Sequence, residues 1–98
     1  MKYSNIVHFK PKEGMFNDVV KLLSEPLNAT GILQNIIVKT SDTTCCAIGI
    51  WESETHLINA RPIMIERLNS VRDKLSVLSE ELGVTDPSSG PVIYEDTA

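Results

Sequence analysis

The sequence has few cysteines, no long apolar run and no excess of positive charge, and each absence excludes a class of protein. Its two cysteines, Cys45 and Cys46, are adjacent. Because neighbouring residues of a strand point to opposite faces, we expect free thiols of a reducing compartment and no structural disulfide. No stretch approaches ~18 consecutive apolar residues, so we expect no membrane-spanning helix. The first residues hold no apolar signal-peptide core, and we therefore expect a cytoplasmic protein.

The charge balance is acidic, with 9 Lys and Arg against 13 Asp and Glu and a net charge of −4. Such a chain has no general attraction for phosphates, so we expect neither nucleic acid nor a membrane as a partner. The sequence also lacks metal-ligand spacing of His, Cys, Asp and Glu, a Gly-rich phosphate loop and a nucleophile elbow. We therefore expect no metal and no cofactor.

The composition that is present is that of an ordinary globular protein. The 98 residues are 42% hydrophobic and 22% charged, which predicts a single domain over residues 1–98 with a real core. Alternation and helical spacing predict strands at 3–10, 32–39, 44–51 and 92–94, a helix from 15 that ends before Pro26, a helical turn at 54–60 and a long helix at 62–82. A loop is predicted at 86–91 from its Pro, Ser and Gly content.

The long helix is predicted from one apolar stripe. Its members are spaced three or four residues apart: Met64, Leu68, Val71, Leu75, Leu78 and Leu82. Pro62 is predicted to separate this helix from the preceding turn. Gly83 then suits the left-handed position after a helix C-terminus.

The element order β-α-β-β-α-β is that of the ferredoxin-like fold, in which two helices cover one face of a four-stranded antiparallel sheet. The central hairpin carries apolar side chains on both faces. One face has Ile36, Val38, Cys46, Ile48 and Ile50, and the other has Leu33, Ile37, Cys45, Ala47 and Trp51. An open apolar face of this size is rare in monomers, so we expect a homodimer formed through the face without helices.

The chain resembles the dimeric α+β barrel superfamily, and within it the antibiotic-biosynthesis-monooxygenase-like branch, over essentially its whole length. The resemblance lies in the layout, in Trp51-Glu52-Ser53-Glu54 between third strand and second helix, and in the stretch 83–92, Gly-Val-Thr-Asp-Pro-Ser-Ser-Gly-Pro-Val. Members include cofactor-independent monooxygenases of polycyclic aromatic substrates, haem-degrading enzymes, muconolactone-type isomerases and proteins without known activity. A second tryptophan is missing and the helix histidine, His56, comes too early, which argues against haem degradation.

The resemblance implies a ligand cleft between the sheet and the helices. Asn5 matches the strand asparagine of the monooxygenases, and Trp51 matches the tryptophan that ends the third strand, either stacking on a ligand or anchoring strand to helix. His8 is a candidate general base or, alternatively, a hydrogen-bonded core or dimer-face residue. Arg61 is a candidate for binding a carboxylate or phenolate, or a solvated surface residue. Tyr94 is a candidate for donating its hydroxyl hydrogen to a ligand, or a packing residue whose hydroxyl is hydrated.

Two functions follow from these candidates. The first is a cofactor-independent monooxygenase that acts on an aromatic or quinol-type small molecule, with Asn5 and His8 orienting and deprotonating it. The second is a non-catalytic dimer that binds a small molecule or acts in a stress response. A pocket built from Asn5, Trp51 and Arg61 would favour catalysis, whereas a cleft filled by Phe16, Leu68 and Trp51 would favour packing alone.

Overall fold

A computed structural model describes residues 1–97 and folds them into an antiparallel sheet of four strands with two helices on one face. The elements are β1 (Tyr3–Phe9), α1 (Phe16–Leu23), β2 (Ile32–Lys39), β3 (Cys45–Trp51), α2 (Glu54–Val71), a 3₁₀ turn (Arg72–Lys74) and β4 (Thr85–Pro91). The strand order is β2-β3-β1-β4. The predicted ferredoxin-like arrangement is confirmed. Within residues 1–97, no helix is both long and apolar enough to cross a bilayer.

The helices cover one face of the sheet, which we call the covered face. It carries Tyr3, Asn5, Val7 and Phe9 of β1, Asn35, Ile37 and Lys39 of β2, Cys45, Ala47, Gly49 and Trp51 of β3, and Thr85, Pro87 and Ser89 of β4. The packing forms two separate clusters of buried residues. One joins Phe9, Val19, Cys45, Val71 and Leu75, and the other joins Ala29, Trp51, Leu57 and Ala60.

The opposite face of the sheet has no covering element within residues 1–97. This open face carries Ser4, Ile6, His8, Gln34, Ile36, Val38, Cys46, Ile48, Ile50, Asp86 and Ser88. Ile36 and Val38 are each 40% exposed. The β2–β3 hairpin therefore has apolar side chains on both faces, as its sequence predicts.

The second helix differs from its prediction in two ways. It runs without interruption through Pro62, which lies on the exposed side, where water can hydrate the carbonyl that lacks its usual donor. It also ends at Val71, so the predicted helix over residues 75–82 is wrong. The 18 residues of α2 already span about 27 Å. Seven-residue strands span about 24 Å, so a longer helix would project beyond the sheet.

The segment after α2 pairs with the chain that follows β1. The backbone N–H of Ser76 donates to the carbonyl of Lys10 at 2.7 Å. Leu75 is only 2% exposed. This apolar residue, which contributed to the helix prediction, is therefore buried although its backbone is extended and not helical. Gly83 does have a positive φ, +72°. It closes a turn, with its N–H donating to the carbonyl of Ser79 at 2.9 Å, and does not end a helix.

The last strand also lies elsewhere than predicted, at Thr85–Pro91 in place of residues 92–94. Its turn-forming composition suggested a loop. Proline lacks the N–H that a ladder requires, but it is tolerated on an edge strand, where one side pairs with nothing. β4 is such an edge and pairs with β1 alone. The register sets Ser89 opposite Asn5, which brings this serine to the covered face, where a loop would not have positioned it.

Candidate functional site

A cavity of about 590 Å³ lies between the covered face and α2. This volume is in the range of small-molecule sites. The cavity separates the two core clusters, with Phe9, Val71 and Leu75 at one end and Trp51 and Leu57 at the other. The middle is apolar, lined by Val7, Ile37 and Ala47 from the sheet and by Met64 and Leu68 from α2. The cleft is open, and neither Phe16 nor Leu68 fills it.

Small residues on β3 provide the space for this cavity. Gly49 lies opposite Asn5 on one side and Asn35 on the other, and Ala47 is the next covered-face residue along β3. A Cβ added at Gly49 would collide with the Asn5 amide oxygen and would meet Trp51 Nε1 at 3.0 Å. Glycine is therefore required here, because two side chains cross its position.

The Asn5 side chain is held by Trp51, whose Nε1 donates to Asn5 Oδ1 at 2.7 Å. An indole N–H can only donate, so the oxygen of the Asn5 amide must face Trp51, and the NH₂ group is left to face the cavity. Trp51 itself is 0% exposed. Its ring borders the cavity from a fully buried position, which is the geometry of an anchor between strand and helix. The pair thus presents one fixed hydrogen-bond donor.

Two arginines of α2 also border the cavity. Arg61 is exposed at its rim. The guanidinium of Arg67 donates to the carbonyls of Glu25 and Pro26, the latter at 3.0 Å. Arg67 therefore ties α2 to the loop between α1 and β2, and its side chain forms part of the cavity wall.

At the Trp51 end of the sheet, Tyr3 faces a carboxylate. Hydrogen bonding to Glu54 raises the pKa of the Tyr3 phenol, and partial desolvation and the negative charge of Glu54 act in the same direction. Ser89 and Arg61 oppose this rise. Tyr3 is paired with Trp51 in the register and lies on the same face as Asn5, so its phenol stands at the Trp51 end of the cavity.

The structure brings together three of the five residues predicted for the site, namely Asn5, Trp51 and Arg61. His8 lies on the open face, between Cys46 and Asp86 in the register, so it cannot reach the cavity of its own chain. Tyr94 follows β4 and is 78% exposed, away from the cavity. The roles predicted for His8 and Tyr94 stay predictions.

Sequence reasoning missed several polar residues that border the cavity: Asn35, Arg67, Thr85, Ser88 and Ser89. Asn35 could have been found, because it alternates with Ile37 on a strand whose bounds were predicted correctly. The residues of β4 were hidden by its loop-like composition. Nothing in the sequence around Arg67 marks it.

The chemistry available in the cavity is limited. Among the described residues, its lining includes no His, Asp or Glu side chain. It offers amide and hydroxyl hydrogen bonds and the positive charge of two arginines. Residues 1–97 also contain no group of three or more His, Cys, Asp or Glu side chains that could hold a metal ion.

No protein-family profile and no curated protein matches the sequence, but solved structures match the fold. A candidate antibiotic biosynthesis monooxygenase from Chloroflexus aurantiacus superposes with a TM-score of 0.77 at 11% identity, over 99% of this chain and 98% of that one. A variant of SnoaB, a cofactor-independent oxygenase from Streptomyces nogalater, gives 0.64 at 10% identity, over 96% and 95%. A dimeric ferredoxin-like protein from an uncultured marine organism gives 0.73 at 12% identity, over 99% and 92%.

Identities of 10 to 12% show a shared fold and do not show a shared activity. The structure thus confirms the resemblance at the level of fold: the chain has the ferredoxin-like fold that these antibiotic-biosynthesis-monooxygenase-like proteins share.

Proposed function

We propose that this chain is a cofactor-independent monooxygenase that acts on an aromatic or quinol-type small molecule bound in the cavity. The observation that carries the proposal is the fixed amide NH₂ of Asn5 above an apolar floor. A flat ligand gains from burial against that floor, and an enol or phenol oxygen accepts the hydrogen bond. The similarity in fold to SnoaB, a cofactor-independent oxygenase, supports the reaction class.

In the proposed reaction the ligand supplies its own reducing power. Because the described residues of the cavity lining include no base, the ligand must be acidic enough to lose its proton to water. Asn5 and Arg61 would stabilise the anion through hydrogen bonding and positive charge. The anion then reduces dioxygen. With anthrone, the CH₂ carbon becomes a carbonyl, one oxygen atom enters it, and the other leaves as water with the two hydrogens of that carbon. With a hydroquinone, one oxygen atom enters a ring C–H bond, the two hydroxyl groups become carbonyls, and their two hydrogens leave with the other oxygen atom as water.

The test is oxygen uptake with anthrone. We expect the wild type to accelerate uptake with one O₂ consumed per anthrone, and Asn5→Ala to lower the rate by about 10²-fold, the usual effect of losing one such donor. Asn59→Ala, an exposed asparagine of α2 outside the cavity, is the matched control and should leave the rate unchanged. No acceleration with anthrone or a panel of hydroquinones would contradict the proposal.

A non-catalytic ligand-binding protein is the second candidate, and the absence of an acid or base in the described cavity lining favours it. Calorimetry distinguishes the two. Binding of anthrone-like ligands that depends on Asn5 but causes no oxygen uptake would establish the second candidate in place of the first.

We also propose that the chain forms a homodimer through the open face. That face carries branched apolar residues on three strands, and no helix of the chain covers them. A symmetric partner would cover them. The dimeric ferredoxin-like protein of the same fold supports this assembly. Light scattering at micromolar concentration should give twice the chain mass of 10.8 kDa, and a monomer would contradict the proposal.

A further inference from the structure

The two outer strands of the sheet are protected to different degrees. β4 carries Pro87 and Pro91, which cannot donate a hydrogen bond to a further strand. β2 contains neither proline nor glycine, and its one charged side chain is Lys39 at its end. A long apolar edge of this kind is prone to pair with another segment, so folded proteins usually cover it. Within residues 1–97 no strand pairs with the outer side of β2.

The outer side of β2 also borders an apolar groove of about 640 Å³ between this strand and α1. Consecutive residues from Ile32 to Asn35 line the groove, although neighbours on a strand point to opposite faces. The groove therefore extends around the edge of the strand. Leu33 is 47% exposed there. The edge of β2 thus offers both unpaired backbone groups and an apolar surface.

The segment after β4, residues 92–95, has exposed apolar side chains, and we call it the tail segment. Its first residue is fixed, because the N–H of Val92 donates to the carbonyl of Lys2 at 2.9 Å. Ile93 is 92% exposed and Tyr94 is 78% exposed. β-Branched and aromatic residues favour extended chain that packs on a neighbour. The tail segment therefore has the composition of a strand but lacks a surface to pack on.

The tail segment cannot fill the groove of its own chain. β2 and β4 are the two outer strands, so three strand spacings, about 14 Å, separate them. The two residues after Val92 span about 7 Å at most. Ile93 and Tyr94 thus stay on the β4 side of the sheet.

A second copy of the chain brings its groove closer. Two sheets that pack through their open faces lie about 10 Å apart. A twofold axis parallel to the strands then sets β4 of one chain across from β2 of the other. Pro91 and Ile32 lie in the same row of the sheet, the row of Tyr3 and Trp51. The tail segment therefore starts across from the first residue of β2 in the second copy.

We propose that in the homodimer the tail segment of each chain packs against the outer edge of β2 in its partner, with Ile93 and Tyr94 in the groove. This contact covers the unprotected edge and the exposed apolar side chains at once. The inference goes beyond the proposed reaction and rests on the proposed homodimer.

Hydroxyl-radical footprinting with mass spectrometry measures the exposure of Tyr94 in the unsubstituted chain. The reference is Ile48→Asp, whose charge at the centre of the open face should keep the chain monomeric. We expect Tyr94 to react about fivefold more slowly in the wild-type dimer than in this monomer, because a packed aromatic ring loses most of its accessible surface. Equal rates would overturn the inference.

Leu33→Glu tests the groove itself, because it places a charge where the tail segment packs. We expect this variant to remain dimeric and its Tyr94 to react as fast as in the monomer. Leu22→Glu is the matched control and should keep Tyr94 protected, since Leu22 is 39% exposed on α1 and does not border the groove. Protection that persists in a dimeric Leu33→Glu variant would overturn the inference.

Ile93→Asp makes the test independent of any one variant. Its position is 92% exposed in the single chain, so the substitution should leave the fold intact and still release Tyr94. Light scattering separates this inference from the homodimer. A monomeric wild type would overturn both, whereas a dimer in which Tyr94 reacts as in Ile48→Asp would overturn the docking of the tail segment alone.

Discussion

The two faces of the sheet are made by alternating residues of the same strands, yet one face forms a cleft and the other forms an uncovered apolar surface. On the covered face, small residues at the centre, Ala47 and Gly49, leave an open cleft of about 590 Å³ beneath α2. On the open face, the branched residues Ile6, Ile36 and Ile48 stand in one row and form a surface that no helix covers. A cleft suits a small molecule, whereas a broad apolar surface suits a second protein surface.

The largest expected effect comes from a charge at the centre of the open face. Ile48→Asp should convert the proposed dimer to a monomer and raise its dissociation constant by about 100-fold or more, because an unpaired carboxylate in an apolar interface costs several kcal/mol. Sedimentation velocity measures this directly. Ile58→Asp, an apolar residue 46% exposed on α2, is the control and should remain dimeric. A dimeric Ile48→Asp variant would show that the interface lies elsewhere.

The next effect comes from filling the covered face at its centre. Gly49→Ala should destabilise the fold by about 3 kcal/mol, because the new Cβ overlaps the Asn5 amide and breaks its bond to Trp51. It should also abolish ligand binding without changing the oligomeric state. Urea denaturation gives the stability. Gly90→Ala is matched to it, since a Cβ there meets no atom within 4 Å. Equal stability of the two variants would refute the assigned role of Gly49.

A smaller effect is expected from the Asn5–Trp51 bond alone. Trp51→Phe leaves the half-buried Asn5 oxygen without its donor and should cost about 2 kcal/mol in unfolding free energy. Asn5→Leu in the same background should recover part of this loss, because both partners are then apolar. Additive losses in the double variant, measured in urea, would mean that the bond contributes nothing to stability.

The smallest effect uses the adjacent cysteines as reporters of the two faces. Cys45 faces the helices and Cys46 the open face, and they are 1% and 6% exposed. Burial raises the pKa of the Cys45 thiol; Cys46 adds to the rise and Lys39 opposes it. In Cys46→Ala, labelling of Cys45 by iodoacetamide should therefore be slow at pH 8 and rise only at higher pH.

The reporters should respond to different perturbations. In Cys45→Ala, dissociation of the proposed dimer by Ile48→Asp should speed labelling of Cys46 only slightly, because the single chain itself leaves just 6% of Cys46 exposed. The same substitution should leave the labelling of Cys45 in Cys46→Ala unchanged. Equal acceleration at both thiols would mean that the two faces do not behave independently.

What the sequence determined by itself is local. The β2 bounds are as predicted, and those of β1 and β3 agree to within one residue. The two-residue period of a strand assigned Asn5 to the same side of β1 as Val7 and Phe9, and His8 to the other side, before any contact was known. The apolar character of both faces of the hairpin is likewise a property of alternation and needs no tertiary information.

Only the tertiary structure decided where α2 ends, where β4 lies and which polar groups share the cavity. α2 ends at Val71 because the chain that follows pairs with the segment after β1, although its apolar spacing continues to Leu82. The prolines of β4 are accommodated because its position at the edge leaves one side unpaired. Asn35 and Arg67 border the same cavity as Asn5. This proximity results from strand register and from packing between segments that are distant in sequence. Periodicity describes one element at a time, whereas these features depend on how elements meet.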